Sequence, residues 1–319
     1  MEEIVITSGK MNHHIDPVLH VWGWEIPVYL FLGGLVAGIV VLSALMVILG
    51  KTKEMSTAAL RIPVLAPIFL SLGMFALLLD LENKIRVYQM YLTFQPTAPM
   101  SWGAWILILF YPFNLLFILT QVRTGFPEFY QKYITSKIPK VDEVINWICK
   151  FSSQITWINL FIGTFIGIYT GILLGAFAAR PFWNSAILGP LFLVSGLSAA
   201  SALILLLSKQ EEEINLFQKV VFGLILTEVL FIALLIIELS TGPRITQQAV
   251  GLILGGELTA FFWIFDFCIG IVLPAILIFA RIRGKSIPAF LAPIFVLLGG
   301  LLLRFSMVEA GQLSTWIPY

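Results

Sequence analysis

Residues 26–49 read IPVYLFLGGLVAGIVVLSALMVIL and contain no charged side chain. An α-helix needs about 20 apolar residues to cross the hydrocarbon core of a membrane, and this stretch is long enough. Seven further stretches meet the same criterion, so the sequence predicts eight membrane-spanning helices. Their predicted bounds are 26–49, 63–82, 101–122, 155–178, 185–207, 217–239, 261–281 and 288–304.

The composition of the whole chain agrees with a membrane-embedded fold. Of 319 residues, 59% are hydrophobic and 12% are charged, whereas soluble domains carry about 25% charged residues. The net charge of +1 offers no basic surface for nucleic acid, so a nucleic-acid partner is excluded. The predicted fold class is an all-α polytopic membrane protein, with contacts to lipid and no room for a soluble domain.

The spans divide the chain into predicted regions: an extracytoplasmic tail 1–25, a membrane domain 26–304 and a second extracytoplasmic tail 305–319. The membrane domain reads as two four-helix bundles, about 26–178 and about 185–304. Gly34-Leu-Val-Ala-Gly38 in the first span resembles Gly196-Leu-Ser-Ala-Ala200 in the fifth, as a parallel duplication would produce.

Two connecting segments have apolar patterns of their own. Apolar residues recur every three or four positions in 138–151, which predicts an amphipathic helix on the cytoplasmic surface of the membrane. The segment 244–258 contains the glycine-rich stretch VGLILGG. Its sequence is compatible with either a short surface helix or a docking patch.

The distribution of basic residues between the loops predicts the orientation, because basic loops stay in the cytoplasm. Loops after odd-numbered spans contain Lys51, Lys53, Arg61, Arg123, Lys132, Lys137, Lys140, Lys150, Lys209, Lys219, Arg281, Arg283 and Lys285. The other side contains Lys10, Lys84, Arg86, Arg180, Arg244 and Arg304. Both termini are therefore predicted to lie outside the cytoplasm.

Acidic residues inside or at the ends of spans are the first candidates for function, because a charge within the bilayer is costly. Glu228 lies at the centre of the sixth span, and Asp80, Glu238 and Asp266 lie near outer span ends. We expect these four to transfer protons. The alternatives are a neutral, hydrogen-bonded Glu228 and an ion pair of Asp80 with Lys84, since acid-first i,i+4 pairs stabilise helices.

Aromatic and polar side chains gather at the same outer level. Tyr29, Asp80, Ser101, Trp105 and Tyr169 are the predicted quinone-binding residues. Tyrosine hydroxyls and a carboxyl group among flat apolar walls suit a quinone, whose carbonyls need hydrogen-bond donors and whose reduction needs protons. Tryptophans at a membrane edge are also ordinary interface anchors. Gly163, Gly167 and Gly171 give the fourth span a small face for close packing.

Metal-ligand residues are scarce in this chain. Cys149 and Cys268 are too few to ligate an iron–sulfur cluster, so the chain is not expected to carry its own. His13, His14 and His20 all precede the first span, which excludes a haem held between two membrane histidines. The prediction for metal-binding residues is therefore none.

Several stretches together resemble the NrfD/PsrC family, the membrane subunits of polysulfide-reductase-type complexes. They are Tyr29-Leu-Phe-Leu-Gly-Gly-Leu-Val-Ala-Gly38, Asp80-Leu, Pro99-Met-Ser-Trp-Gly-Ala-Trp105, Tyr169-Thr-Gly, Pro181-Phe-Trp183 and Leu193-Val-Ser-Gly-Leu-Ser198. The resemblance implies a haem-free subunit that binds menaquinone or ubiquinone. It also implies a ferredoxin-like iron–sulfur partner on the extracytoplasmic side, often beside a molybdopterin catalytic subunit.

The resemblance implies a quinone pocket in the first bundle, where Tyr29, Asp80, Ser101 and Tyr169 fall. Some family members have a first-span histidine in this pocket, whereas this chain has Tyr29 in that region. The immediate proton partner of the quinone is therefore undetermined by the resemblance.

Three functions remain open from the sequence. The first is a quinone-reactive subunit of a respiratory oxidoreductase in the cytoplasmic (inner) membrane, whose terminal substrate is converted by another subunit. The second is a secondary transporter or ion-translocating subunit without redox chemistry, which Glu228 and the duplication would also suit. The third is a passive anchor, which leaves the buried acids unexplained. A dimer of complexes is compatible with each of them.

Overall fold

A computed structural model describes residues 22–81, 83–135, 139–177 and 179–314, and eight of its helices are long and apolar enough to cross a membrane. The predicted all-α multi-pass fold with eight spans is therefore confirmed. The spans are α1 (Glu25–Ile48), α2 (Thr57–Asp80), α3 (Pro99–Gly125), α4 (Ser152–Gly175), α5 (Leu188–Leu207), α6 (Glu211–Thr241), α7 (Phe261–Ile282) and α8 (Leu291–Leu313). The tail 1–21, with its three histidines, lies outside the described residues.

We describe the helices as two groups, α1–α4 and α5–α8, which meet along both α1 and α4. Helix α1 packs against α2 and α4, and α3 packs against α4, whereas α5 packs against α6 and α8, and α7 against α8. Helix α1 also packs against α5 and α8 of the second group. Most of α1 is buried as a result, which accounts for its apolar composition on every side.

Glycines allow the two groups to approach closely. A Cβ atom on Gly38 would overlap the carbonyl oxygen of Gly196, and one on Gly196 would overlap the backbone of Gly34. Helix association in a membrane depends on close backbone packing, so these glycines fix the contact between α1 and α5. The same relation joins Gly270 of α7 to Gly299 of α8.

The end of the last span differs from the prediction. The predicted span ended at residue 304, but α8 continues to Leu313, so Arg304 lies inside the helix and is 1% exposed. Arg304 therefore does not belong among the basic loop residues, and residues 305–313 are not a tail. The helix tolerates this cation because backbone carbonyls and a serine of α5 accept its hydrogen bonds.

Both predicted surface segments contain helices. The amphipathic helix is Pro139–Cys149, with Ile145 and Ile148 buried and Trp147 exposed; its predicted first residue, Ile138, lies outside the described range. An ion pair of 2.7 Å joins its Asp142 to Arg123 of α3. The segment that the sequence left undecided contains the surface helix Arg244–Leu254.

Candidate functional site

A cavity lies among the first four spans, at the end of the bundle that contains Trp22 and Ser314, which we call the terminus face. It is partly open to the surroundings, and about 680 Å³ of space in and at the mouth of the cavity, open solvent included, is free of protein atoms. Helices α1, α2, α3 and α4 all contribute to its walls. Its lining includes Trp22, Tyr29, Leu77, Asp80, Met90, Met100, Leu107, Tyr169 and Phe177.

Two tyrosines supply hydroxyl groups to the cavity. Tyr29 is 7% exposed and lies in the second turn of α1, and Tyr169 is 5% exposed in the second half of α4. A Cβ atom on Gly103 of α3 would overlap the phenol ring of Tyr169. The absence of a side chain at Gly103 therefore makes room for the tyrosine, and Phe165 stacks against its ring at 6.4 Å.

Among the described residues that line the cavity, Asp80 is the one that is acidic. It is the last residue of α2 and is partly exposed, so its carboxyl group lies between the cavity and the terminus face. Met90 of the connection to α3 and Met100 in the first turn of α3 also line the cavity. The structure therefore brings together three of the five predicted quinone-binding residues: Tyr29, Asp80 and Tyr169.

Ser101 and Trp105 lie beside the cavity, on the same turns of α3 as the lining residues Gly103 and Ala104. The Ser101 hydroxyl accepts a hydrogen bond from the Gln95 amide at 2.9 Å and donates one to the Thr93 carbonyl at 3.2 Å. Trp105 packs edge-to-face on Phe94. Their contacts hold the end of the connection between α2 and α3, whose Met90 lines the cavity, and direct binding by either residue stays a prediction.

The remaining walls are apolar and contain several rings and long aliphatic chains. Such walls exclude water from a flat ligand, while the few polar groups fix its orientation. The cavity could bind a planar molecule that accepts hydrogen bonds from tyrosine hydroxyls and exchanges a proton with a carboxyl group. Among the described residues, no three His, Cys, Asp or Glu side chains converge on a metal site.

A second polar cluster lies inside the other group of helices. Glu228 of α6, Asp266 of α7 and Arg304 of α8 are each at most 5% exposed and within electrostatic reach of one another. The sequence predicted roles for the two acids but placed Arg304 in a loop. Met307, Val308 and Ala310 are apolar, but Glu309 among them left no clear sequence signal that the helix extends past the arginine.

Helix α5 satisfies most of the Arg304 guanidinium. Its Nη1 donates a hydrogen bond to the Ser195 hydroxyl at 2.7 Å, and its Nη2 donates one to the Phe192 carbonyl at 2.9 Å. The central guanidinium carbon, Cζ, lies 4.3 Å from the centre of the Phe192 ring. Ser195 also lies beside Glu228, and Ser306 lies beside Asp266. Within the described structure, both carboxyl oxygens of Asp266 are buried without a hydrogen-bond partner.

Glu238 lies apart from this cluster, near the terminus face. It accepts a short hydrogen bond from Ser185, and the same hydroxyl accepts one from the Ile187 amide at 3.1 Å. Glu238 therefore fastens α6 to the connection that precedes α5. Its predicted part in proton transfer stays a prediction.

The fold defines a multi-pass membrane protein with a largely apolar cavity between its first four spans. The sequence pattern of the NrfD family, described as polysulphide reductase, NrfD, matches residues 10–315. The chain belongs to this family, which confirms the resemblance read from its sequence.

Individual relatives align over nearly the whole chain. Protein NrfD of Escherichia coli is 28% identical over 305 residues, which cover 92% of this chain and 96% of the relative. The C subunit of the polysulfide reductase of Wolinella succinogenes is 28% identical over 308 residues, covering 92% and 94%. An NrfD homologue of Haemophilus influenzae is 28% identical over 309 residues, covering 92% and 95%.

Proposed function

We propose that the chain is the quinone-reactive membrane subunit of a multi-subunit respiratory oxidoreductase, and that it binds menaquinone or ubiquinone in the cavity at the terminus face. The cavity carries the proposal, because Tyr29, Tyr169 and Asp80 provide its polar groups among apolar walls. Membership of the NrfD family supports it, since one relative is by its name a subunit of a polysulfide reductase.

The bound quinone would supply the two-electron redox chemistry, and the protein would supply hydrogen bonds and protons. The hydroxyls of Tyr29 and Tyr169 are suited to donate hydrogen bonds to the quinone carbonyls. Asp80, at the open side, is suited to exchange a proton with the surroundings. Ser101 and Trp105 would keep the connection between α2 and α3 in place.

Electrons would be exchanged with a ferredoxin-like iron–sulfur subunit, with a molybdopterin subunit beyond it converting the terminal substrate. The charge bias of the loops supports an extracytoplasmic terminus face in the cytoplasmic (inner) membrane. The connection between α2 and α3 exposes apolar side chains, with Ile85 86% and Leu92 77% exposed. An exposed apolar surface outside the spans is suited to contact a partner protein.

Protons would move through the second group of helices, by way of Glu228 and Asp266 in the interior and Glu238 near the terminus face. Buried carboxyl groups within a membrane commonly mark such relays. The same cluster favours a second candidate function, ion translocation without redox chemistry. The unpartnered carboxyl group of Asp266 is the observation in its favour.

The test of quinone binding uses purified protein with its native partners. Extraction should recover menaquinone or ubiquinone, and Tyr169→Phe and Asp80→Asn should each lower quinol turnover by about 100-fold while the complex stays assembled. Tyr111→Phe is the matched control, because the Tyr111 hydroxyl contacts Ser71 at 3.0 Å outside the cavity. Full quinol activity in both cavity variants would contradict the proposed site.

Glu228→Gln separates the two candidate functions. A quinone-reactive subunit with a proton relay should keep quinone binding in this variant while charge movement across the membrane falls. An ion-translocating subunit without redox chemistry should lose transport, and its wild-type form should bind no quinone.

A further inference from the structure

The two described ends of the chain are joined beside the cavity. The side chain of Gln312, in the last turn of α8, is 5% exposed. Its Oε1 accepts a hydrogen bond from the Trp22 amide at 2.8 Å, and its Nε2 donates one to the Trp22 carbonyl at 3.0 Å. One side-chain amide therefore satisfies both backbone groups of Trp22, just before α1 begins.

This contact determines the position of a cavity wall. Trp22 and Phe177 both line the cavity, and their rings pack edge-to-face at 5.1 Å. On its other side Trp22 stacks on Trp183, with ring centres 5.0 Å apart and an interplanar angle of 24°. The wall is thus part of an aromatic cluster that extends away from the cavity towards α8.

Helix α8 also fixes the far side of that cluster. The indole Nε1 of Trp183 donates to the Met307 carbonyl at 2.8 Å, and Trp183 is 3% exposed. A Cβ atom on Gly311 would overlap this indole, so glycine at that position lets the ring lie against the helix. Helix α8 therefore holds Trp22 twice, through Gln312 directly and through Trp183.

We propose that Gln312 and Trp183 are positioning residues for the ligand of the cavity, acting through Trp22. Neither is among the residues that line it. The last helix of the second group thereby sets the shape of a binding site built by the first group. This inference rests on the proposed function, because it takes the cavity to bind a quinone-like ring.

The test is a binding titration of the full-length protein, in detergent, with a hydroxyquinoline N-oxide whose fluorescence is quenched when it binds. Gln312→Met keeps the length of the side chain but removes both hydrogen bonds to Trp22. We expect it to weaken binding about tenfold, as the loss of two hydrogen bonds would. Gln121→Met is the matched control, because Gln121 is also largely buried, at 9% exposed, but lies near the end of α3 away from the cavity.

A double-mutant cycle separates positioning from a general structural effect. If Gln312 acts through Trp22, adding Gln312→Met to Trp22→Ala should weaken binding less than about twofold further. A full tenfold effect in that background would overturn the inference, and so would wild-type affinity in Gln312→Met alone. Wild-type protein that fails to bind the probe would overturn the proposed function as well, which distinguishes the two failures.

If the Gln312→Met protein cannot be produced in folded form, a second variant, Trp183→Phe, tests the same inference. Trp183→Phe retains a ring to stack on Trp22 but loses the hydrogen bond to Met307. It should weaken probe binding about threefold to tenfold, in keeping with one lost hydrogen bond. Unchanged affinity in this variant would overturn the inference.

Discussion

Arg304 of α8 lies directly against Gly34 of α1, so that a Cβ atom on Gly34 would meet the guanidinium Nη2 at 3.0 Å. The buried polar cluster of the second helix group therefore contacts the helix that carries Tyr29. Gly34 lies little more than one turn beyond Tyr29 on α1, about 7.5 Å along the axis. Through Arg304, the helix that carries Tyr29 thus contacts the cluster that contains Glu228 and Asp266.

Substitution of the α1 glycines should have graded effects. Gly38→Ala should lower stability by about 1–3 kcal/mol, because its Cβ would overlap the Gly196 backbone. Gly34→Ala should cost less, since the atom that it meets ends a long side chain. Thermal unfolding of purified protein measures both. Gly223→Ala is the control, because a Cβ atom added at Gly223 would meet no neighbouring atom within 4 Å. Equal unfolding temperatures for all three variants would contradict the close packing of α1 and α5.

Gly103→Ala should impair the cavity without unfolding the protein. The new methyl group would overlap the Tyr169 phenol and force that ring out of position. Quinol turnover should fall by about tenfold or more, as misplaced catalytic groups commonly cause. Turnover by the assembled complex is the measurement, with Gly251→Ala as a control whose methyl group meets open space. A variant as active as that control would show that Tyr169 need not occupy its present position.

Arg304→Met should destabilise the protein by about 3–5 kcal/mol, because removal of one partner leaves buried acids without their cation. Adding Glu228→Gln should restore part of this loss, since it removes a carboxylate from the same cluster. The unfolding temperatures of the single and double variants form the measurement. Strictly additive losses would indicate that Arg304 and Glu228 do not interact.

Glu213→Gln should affect stability but leave quinol turnover unchanged. Glu213 is fully buried. Its carboxylate accepts one hydrogen bond from the Ala58 amide at 2.8 Å and another from the Ser208 hydroxyl at 2.5 Å. It therefore fastens α6 to the beginning of α2, at the face opposite the cavity. The cost should be about 1–3 kcal/mol, as for a charged hydrogen-bonding group. A fall in turnover at an unchanged unfolding temperature would instead indicate a functional acid.

The spans were predictable because the bilayer requires long apolar helices, and that requirement is visible in each stretch of sequence. The end of α8 was not, because Arg304 alone looks like the charged boundary of a span. Only its contacts with Phe192 and Ser195 of α5, more than 100 residues away in the chain, show why it can be buried. A single sequence does not display such contacts.

The candidate site was also predictable only in part: some of the residues that line the cavity were, but the contacts that support its wall were not. Tyr29, Asp80 and Tyr169 were identified because polar groups near the ends of apolar spans are uncommon. The contact between Trp22 and Gln312 was missed because a tryptophan at a membrane edge usually serves as an anchor, and Gln312 falls beyond the predicted last span. Their relation depends on the packing of the first helix against the last.

The position of Arg304 in the last helix has a consequence for biosynthesis. The ribosome makes α6 and α7, with Glu228 and Asp266, before it makes Arg304, the cation that lies beside them in the folded protein. During that interval both acids must enter the bilayer uncharged or shielded by the insertion machinery, since a bare charge there is costly. Trp22 is synthesised before α1, and its hydrogen bonds with Gln312 can form only after α8 has been synthesised. Insertion of α8 therefore supplies both Arg304, beside the two acids, and Gln312, which contacts Trp22.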